Sequence, residues 1–440
     1  MYAIIVIVAL LIIALQIFFI KFSGIDRGDN EGRLRRTVKP LIYIYDWPDH
    51  ITHRWPLNYT HHRLSIDKKF SENEGFGYIV DAAGGIFHTH QYTLYTIFYH
   101  RLLASHHRTR DPAKAQFFFI PYDIGMDATT RQSDGALTVT NCPESTSVLK
   151  LLRDSPYFHR HKGADHFMIH SINQMMLFFN NKICSKVFKL CLNCIKFGID
   201  SHDKSVFPEL ASLPHLTINW FSIPFPSNYH RGPGTRLPWN DAINTLRANK
   251  ERYFAERRYA VTYMGSLQVT AKRMKVLRAD IMQACQLFPS DCLAVHIESH
   301  SSNADYLASY QQPMFPYSAS KLCLVPGGDF PTRKAFADAM LSGCVPVTFQ
   351  LFAAQTQWLL HWGSAEKAMD CTFYVPLAQA EANMTAVLQD LIRIASDTNM
   401  LQKKLECISA VGNRFQYSVR DGYGVDAFEV ALGILSSHDP

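Results

Sequence analysis

KLCLVPGGDFPTRKAFADAMLSGCVPVTF, residues Lys321 to Phe349, decides the fold. The apolar run Lys321 to Val325 reads as a buried strand and breaks at Pro326-Gly327-Gly328-Asp329. Thr332 is placed to cap a helix from Pro331 to Ser342, and Gly343 closes it where a left-handed backbone is needed. Cys344 to Phe349 reads as the next strand. Strand, helix and strand in this order build a parallel α/β sheet. The glycine turn at a helix N-terminus is also an anion site, because unpaired N–H groups and the helix dipole both favour a phosphate. Arg333 and Lys334 oppose that dipole, so they fit the first turn best with a diphosphate between them. The plain alternative is an ordinary strand-turn-helix with surface cations.

Working outward, the same alternation recurs. Leu41 to Tyr45, Phe117 to Ile120, His166 to Ile169 and Leu216 to Ile218 read as strands, with a helix from Tyr92 to Leu103. A second set starts with a strand at Tyr259 to Met264 and a helix at Thr270 to Cys285. Gly232 to Lys250, with Pro233, Gly234 and Pro238, reads as the connection. The expected layout is an anchor at 1–21, a stem at 22–38, an N-terminal α/β domain at 39–245 and a C-terminal one at 246–440. Ala3 to Ile20 is apolar except for Gln16, which at about 1.5 Å per residue crosses most of a bilayer. A cleaved signal peptide is the alternative, but no basic residue precedes the run. Lys21, Arg27, Arg33, Arg35 and Arg36 argue for a cytoplasmic side after the span; the sequons at Asn58 and Asn383 argue for the lumen.

With 47% hydrophobic and 19% charged residues in 440, the chain carries enough apolar material for two cores. The net charge of +6 is dispersed, and no zinc-finger spacing or aromatic-basic motif supports nucleic-acid binding. Ten cysteines suit an oxidising compartment, with one to three disulfides or buried thiols expected. Cys191 and Cys194 form a C-x-x-C, but no second pair at zinc spacing accompanies it, so no metal site is expected. A D-x-D pair, the usual holder of a divalent ion on a donor diphosphate, is absent.

Leu322-Cys323-Leu324, Pro326, Gly328-Asp329, Thr332-Arg333, Asp338 and Gly343-Cys344-Val345-Pro346-Val347 resemble a pattern of the exostosin-like glycosyltransferases. The Thr-Arg form is similar to their plant xyloglucan galactosyltransferase branch. Tyr43 to Pro48, His90 to Phe98, Asp111 to Tyr122, Gly163 to His166, Ile223 to His230, and Gly265 with Lys275 to Arg278 resemble further family elements in order. Tyr95 stands where the family has Glu, Ala164 where it has Arg, and Lys334 where the plant form has a second Arg.

The resemblance implies a GT-B architecture, two facing Rossmann-like domains, and an inverting, mostly metal-independent transfer from a UDP-sugar, galactose among the candidates. The acceptor is a glycan or polysaccharide, the setting the Golgi lumen behind a type II anchor, and assembly with itself or other transferases is open. UDP-xylose, UDP-arabinose and UDP-glucuronate are alternative donors; a catalytically weak scaffold for a partner transferase is the alternative of another class. Gly265, Arg278, Gly328, Asp329, Thr332, Arg333 and Asp338 are the expected donor-binding residues. Arg278 and Arg333 would neutralise the leaving diphosphate. Asp338 would meet the ribose or orient a basic neighbour, with a helix salt bridge to Lys334 as its plain alternative. Inversion needs a base, and Asp46, His88, His90, Asp123, Asp127, Asp165 and His166 are available. Asp165 and His166, polar groups beside or within a strand-like apolar segment, are the chosen pair; a satisfied core hydrogen bond is their alternative.

Overall fold

Phe117–Phe119 and His166–His170 bury every side chain, as strands do when helices cover both faces of a parallel sheet. The computed structural model describes residues 40–52, 72–127, 129–131, 137–139, 142–173, 185–201, 218–269, 271–297 and 314–437. The expected anchor and stem, the sequon at Asn58 and Cys184 lie outside them. No described helix is long and apolar enough to cross a membrane.

The first sheet contains β1 (Ile42–Ile44), β2 (Arg108–Thr109), β3 (Phe117–Phe119), β4 (His166–His170), β5 (Ile195–Gly198) and β6 (Trp220–Ser222). Its order is β6-β5-β4-β3-β1-β2, all parallel. Helix α1 (Leu94–Ala104) lies between β1 and β2 in the chain. The second sheet contains β7 (Tyr259–Gly265), β8 (Cys292–His296), β9 (Ser320–Val325), β10 (Val345–Thr348) and β11 (Phe373–Tyr374), in the order β8-β7-β9-β10-β11, again all parallel. The chain therefore has an α/β fold with two parallel sheets. In each, the chain leaves the first strand to one side and later returns to its other side. The strand order thus reverses between β1 and β3, and again between β7 and β9. Ligands of such sheets sit outside the carboxyl ends of the strands at these reversals.

Several expectations need correction. The stretch 232–250 is no simple connection: Pro238–Ala248 is a helix, α2, followed by α3 (Lys250–Glu256). Pro238 starts α2 where its missing N–H costs nothing. Trp239 is buried, and Asn240 bonds Ser409 on helix α6 (Thr398–Val411), so α2 packs with the second half. Of the strand expected at Leu216 to Ile218, Leu216 and Thr217 lie outside the described residues; the strand described next is Trp220–Ser222. The last helix, α7 (Ala427–Ser437), also reaches the first half. There Arg101 of α1 pairs with Asp426 at 2.8 Å and Asp421 at 3.1 Å, its guanidinium 4.4 Å above the Phe428 ring. Trp358 N–H donates to Ser222 Oγ and the Tyr417 hydroxyl donates to Pro224 O, strapping both halves together.

Cysteines pair as Cys285–Cys292, Cys323–Cys344 and Cys371–Cys407, and Cys142 is disulfide-bonded as well. Cys323–Cys344 joins β9 to the residue before β10, stapling the unit from which the fold was read. Cys191 and Cys194 are free, buried thiols. These disulfides fit an oxidising compartment.

Candidate functional site

The carboxyl ends of β7 and β9 carry Gly265-Ser266 and Pro326-Gly327-Gly328, so the order reversal places both glycine turns side by side. Arg278 welds them. Its Nε and Nη2 donate to Gly327 O at 3.1 and 2.8 Å, and its Nη1 donates to Ser266 O at 2.5 Å. Arg278 is buried midway along helix α4 (Lys272–Gln286) rather than at its start. Three of its five N–H groups hold backbone carbonyls, a structural role beside the expected phosphate contact. Arg278→Ala is expected to lower melting temperature and turnover together, because both turns lose their common anchor. Normal stability with lost turnover alone would contradict that.

Arg333 is placed differently. Helix α5 begins at Lys334, and Arg333 is its N-cap with an extended backbone, φ −145°. That conformation returns the guanidinium over Gly328, where a Cβ would overlap it. Only glycine leaves room for this arginine. Burial, then the neighbouring Arg278, holds the Arg333 pKa below its usual value, while Tyr92 and Asp329 act the other way. Thr332 does not cap the helix; it is buried, and no side chain caps α5. Gly343 does what its position promised: φ is +73°, and a Cβ would lie 2.5 Å from that of Ala242.

Four buried polar atoms on these turns lack hydrogen-bond partners: Tyr263 Oη, Thr332 Oγ1, Arg333 Nε and Gln350 Oε1. Each such atom costs about 1–3 kcal/mol when left unpaired. Tyr263 Oη would lie 2.8 Å from a Cβ at Gly265, and Gln350 Oε1 2.5 Å from one at Gly327. Two guanidiniums, three bare glycines and four unpaired atoms, one of them Arg333 Nε, thus gather at the ends of these strands. Asp329 is exposed beside them and accepts from Ala271 N at 3.2 Å, lending α4 the cap that an alanine cannot supply.

Asp338 is engaged within the protein. Its Oδ2 holds Lys334 Nζ at 2.7 Å, and its Oδ1 accepts from Asn228 N at 2.7 Å. Both carboxylate oxygens are engaged in joining α5 to the chain after β6, so the helix salt bridge describes it better than a ribose contact.

The structure separates Asp165 and His166 from this cluster. They lie at the amino end of β4, the opposite sheet edge, and both are fully buried. Asp165 contacts His166 Nδ1 at 2.7 Å and Arg160 at 2.8 Å; His166 Nε2 contacts the Tyr45 hydroxyl at 2.8 Å, itself 2.8 Å from Ser155 Oγ. Burial alone would raise the Asp165 pKa, but the bonds from His166 and Arg160 hold it below its usual value. Every nitrogen of the imidazole is committed, so the pair acts as a core network rather than as a base for an incoming hydroxyl. At the carboxyl edge of the first sheet stand Asp46, after β1, and Asp123, after β3, flanking the order reversal there. Ser171, after β4, donates its N–H to Asp123 Oδ1 at 3.5 Å and its Oγ accepts from Tyr95 N at 2.9 Å, holding the start of α1 against this edge. Tyr95, in place of the family's Glu, is buried and donates to Thr52 O. Strand order was the signal that sequence reading lacked.

Residues 36–384 match the model of the exostosin GT47 domain. The chain belongs to that glycosyltransferase family. Among relatives from Arabidopsis thaliana, a probable xyloglucan galactosyltransferase is 21% identical, the alignment covering 74% of this chain and 65% of the relative. A xyloglucan-specific galacturonosyltransferase is 22% identical, with 78% and 48% covered. The chain spans about half to two thirds of the length of the first of these GT47 relatives. Among solved structures, a UDP-forming trehalose-phosphate synthase from Burkholderia vietnamiensis aligns over 91% of this chain and all of its own, at 12% identity and a TM-score of 0.37. TarM aligns over 71% and 61%, at 11% and 0.32.

Proposed function

We propose that this GT47 chain transfers a sugar from a UDP-sugar to a glycan or polysaccharide by inversion, on a GT-B architecture, in the Golgi lumen. The observation that carries the reading is the cluster at the ends of β7 and β9, where four buried polar atoms, Arg333 Nε among them, lack partners beside bare glycines. A nucleotide diphosphate supplies the acceptors and charge that this arrangement lacks. Galactose is the favoured donor sugar, since relatives in the plant branch carry that name; a uronic acid is the second candidate. Arg333 and the open N-terminus of α5 neutralise the leaving diphosphate in the place a D-x-D-bound cation takes elsewhere. Calorimetry is expected to give the same UDP affinity in chelator as in added magnesium. Complete loss of binding in chelator overturns the metal-independent step. A donor screen reading UDP release then identifies the sugar.

The base that takes the acceptor proton is Asp46 or Asp123, the carboxylates at the first sheet's carboxyl edge. General-base removal costs about 10²–10⁴ in rate. One of Asp46→Asn and Asp123→Asn is expected to lower kcat within that range with an unchanged donor KM. If neither does, the base lies elsewhere.

A further inference from the structure

At the far edge of the first sheet, where β1 starts, one ring nitrogen each of His106 and His107 and a carboxylate oxygen of Glu429 lie with no two more than 4.8 Å apart. The histidines follow α1 and Glu429 belongs to α7, so the group joins two elements distant in sequence. We propose that it is a binding site for a divalent transition metal of the zinc type, separate from the proposed donor site.

The hydrogen bonds behind the rings carry the argument. His107 Nδ1 faces Pro40 O at 3.1 Å, and a carbonyl only accepts, so Nδ1 carries the proton. In the neutral ring Nε2 then holds a lone pair, and it points at Glu429 Oε2 only 3.3 Å away. A lone pair facing a carboxylate repels unless a cation sits between them. A proton or a metal ion is such a cation. Bond lengths of about 2.0–2.1 Å to zinc put tetrahedral ligand atoms about 3.4 Å apart, which matches the observed separation. His106 Nδ1 faces Asp421 Oδ2 at 2.8 Å, again leaving Nε2 for a ligand bond. A carbonyl or carboxylate behind each histidine is the arrangement that fixes metal-ligating tautomers. Asp421 is held in turn by Arg101 at 3.1 Å. The His106 side chain is 39% exposed, so water can complete the shell. The softer nitrogen ligands select zinc over magnesium or calcium. Such an ion would pin α7 to the start of the first sheet, beside Pro40.

The full chain, stripped with chelator and dialysed, is titrated with zinc sulfate by calorimetry and separately with cobalt(II), whose visible absorption reports nitrogen coordination. One equivalent of zinc is expected to bind. At a hundredfold excess over Kd the melting temperature should rise by about 3 °C. His106→Gln and Glu429→Gln should each weaken zinc at least tenfold and cut that rise to about half or less at the same zinc concentration. His106→Gln replaces an exposed side chain, so its metal-free melting curve and UDP turnover should match those of the unaltered chain. Absence of zinc binding, or stoichiometric binding unchanged in both variants, overturns the site.

Discussion

Arg333→Ala is expected to lower sugar transfer about a hundredfold, the usual cost of losing one donor to charge that develops in the transition state. The melting temperature should stay nearly constant. Arg333 has an unpaired Nε and lies beside a second guanidinium, so the free protein gains little from it. Its value appears when a diphosphate leaves with increasing negative charge. Arg333→Lys should recover only part of the rate, because an ammonium is a point charge without the guanidinium fork. Gly328 belongs to the same device, since any side chain there displaces the arginine. Normal transfer by the alanine variant, or loss of transfer only through unfolding, would place the donor elsewhere.

Asp338→Ala should act on stability instead. It strands the Lys334 ammonium, whose pKa burial already lowers, and it orphans the Asn228 N–H. Breaking one side of a buried pair costs about 3–5 kcal/mol, or about 4–6 °C in a chain of this size. The double change Lys334→Met with Asp338→Leu should restore part of that, because two apolar groups need no partner while the Asn228 N–H stays unpaired. A raised donor KM with unchanged melting would instead return Asp338 to the ribose.

Sequence reading placed three strands and two helices of the second half within a few residues, but named neither the strand Cys292–His296 nor the helices after Phe349. Lys321 to Phe349 alternates apolar runs with turn residues, and local chemistry sets such patterns: Gly343 takes a positive φ that other residues resist, and Val345–Thr348 is buried throughout. Where the pattern was weaker, it misled. Pro238, read as a breaker, starts a helix because a proline at the first position loses no hydrogen bond.

Site assignments divided along another line. The sequence alone singled out one turn as the candidate anion site, since glycines, a helix start and an arginine within a few residues define that chemistry locally. It also determined the family, through motifs kept in order along the chain. Tertiary structure alone decided what each polar group faces. Asp165 and His166 carry the right chemistry, but the parallel register of β4 puts them at the wrong end of the sheet. Arg278 and Arg333 look equivalent in sequence, yet one holds the Gly327 and Ser266 carbonyls while the Nε of the other is left unpaired. Strand order, which no local pattern encodes, brings Gly265 beside Gly327 and Gly328 across more than sixty residues. Contacts of that range form only when the whole sheet closes, because burial of its apolar faces fixes the register and every polar group then takes the partner that this register brings to it.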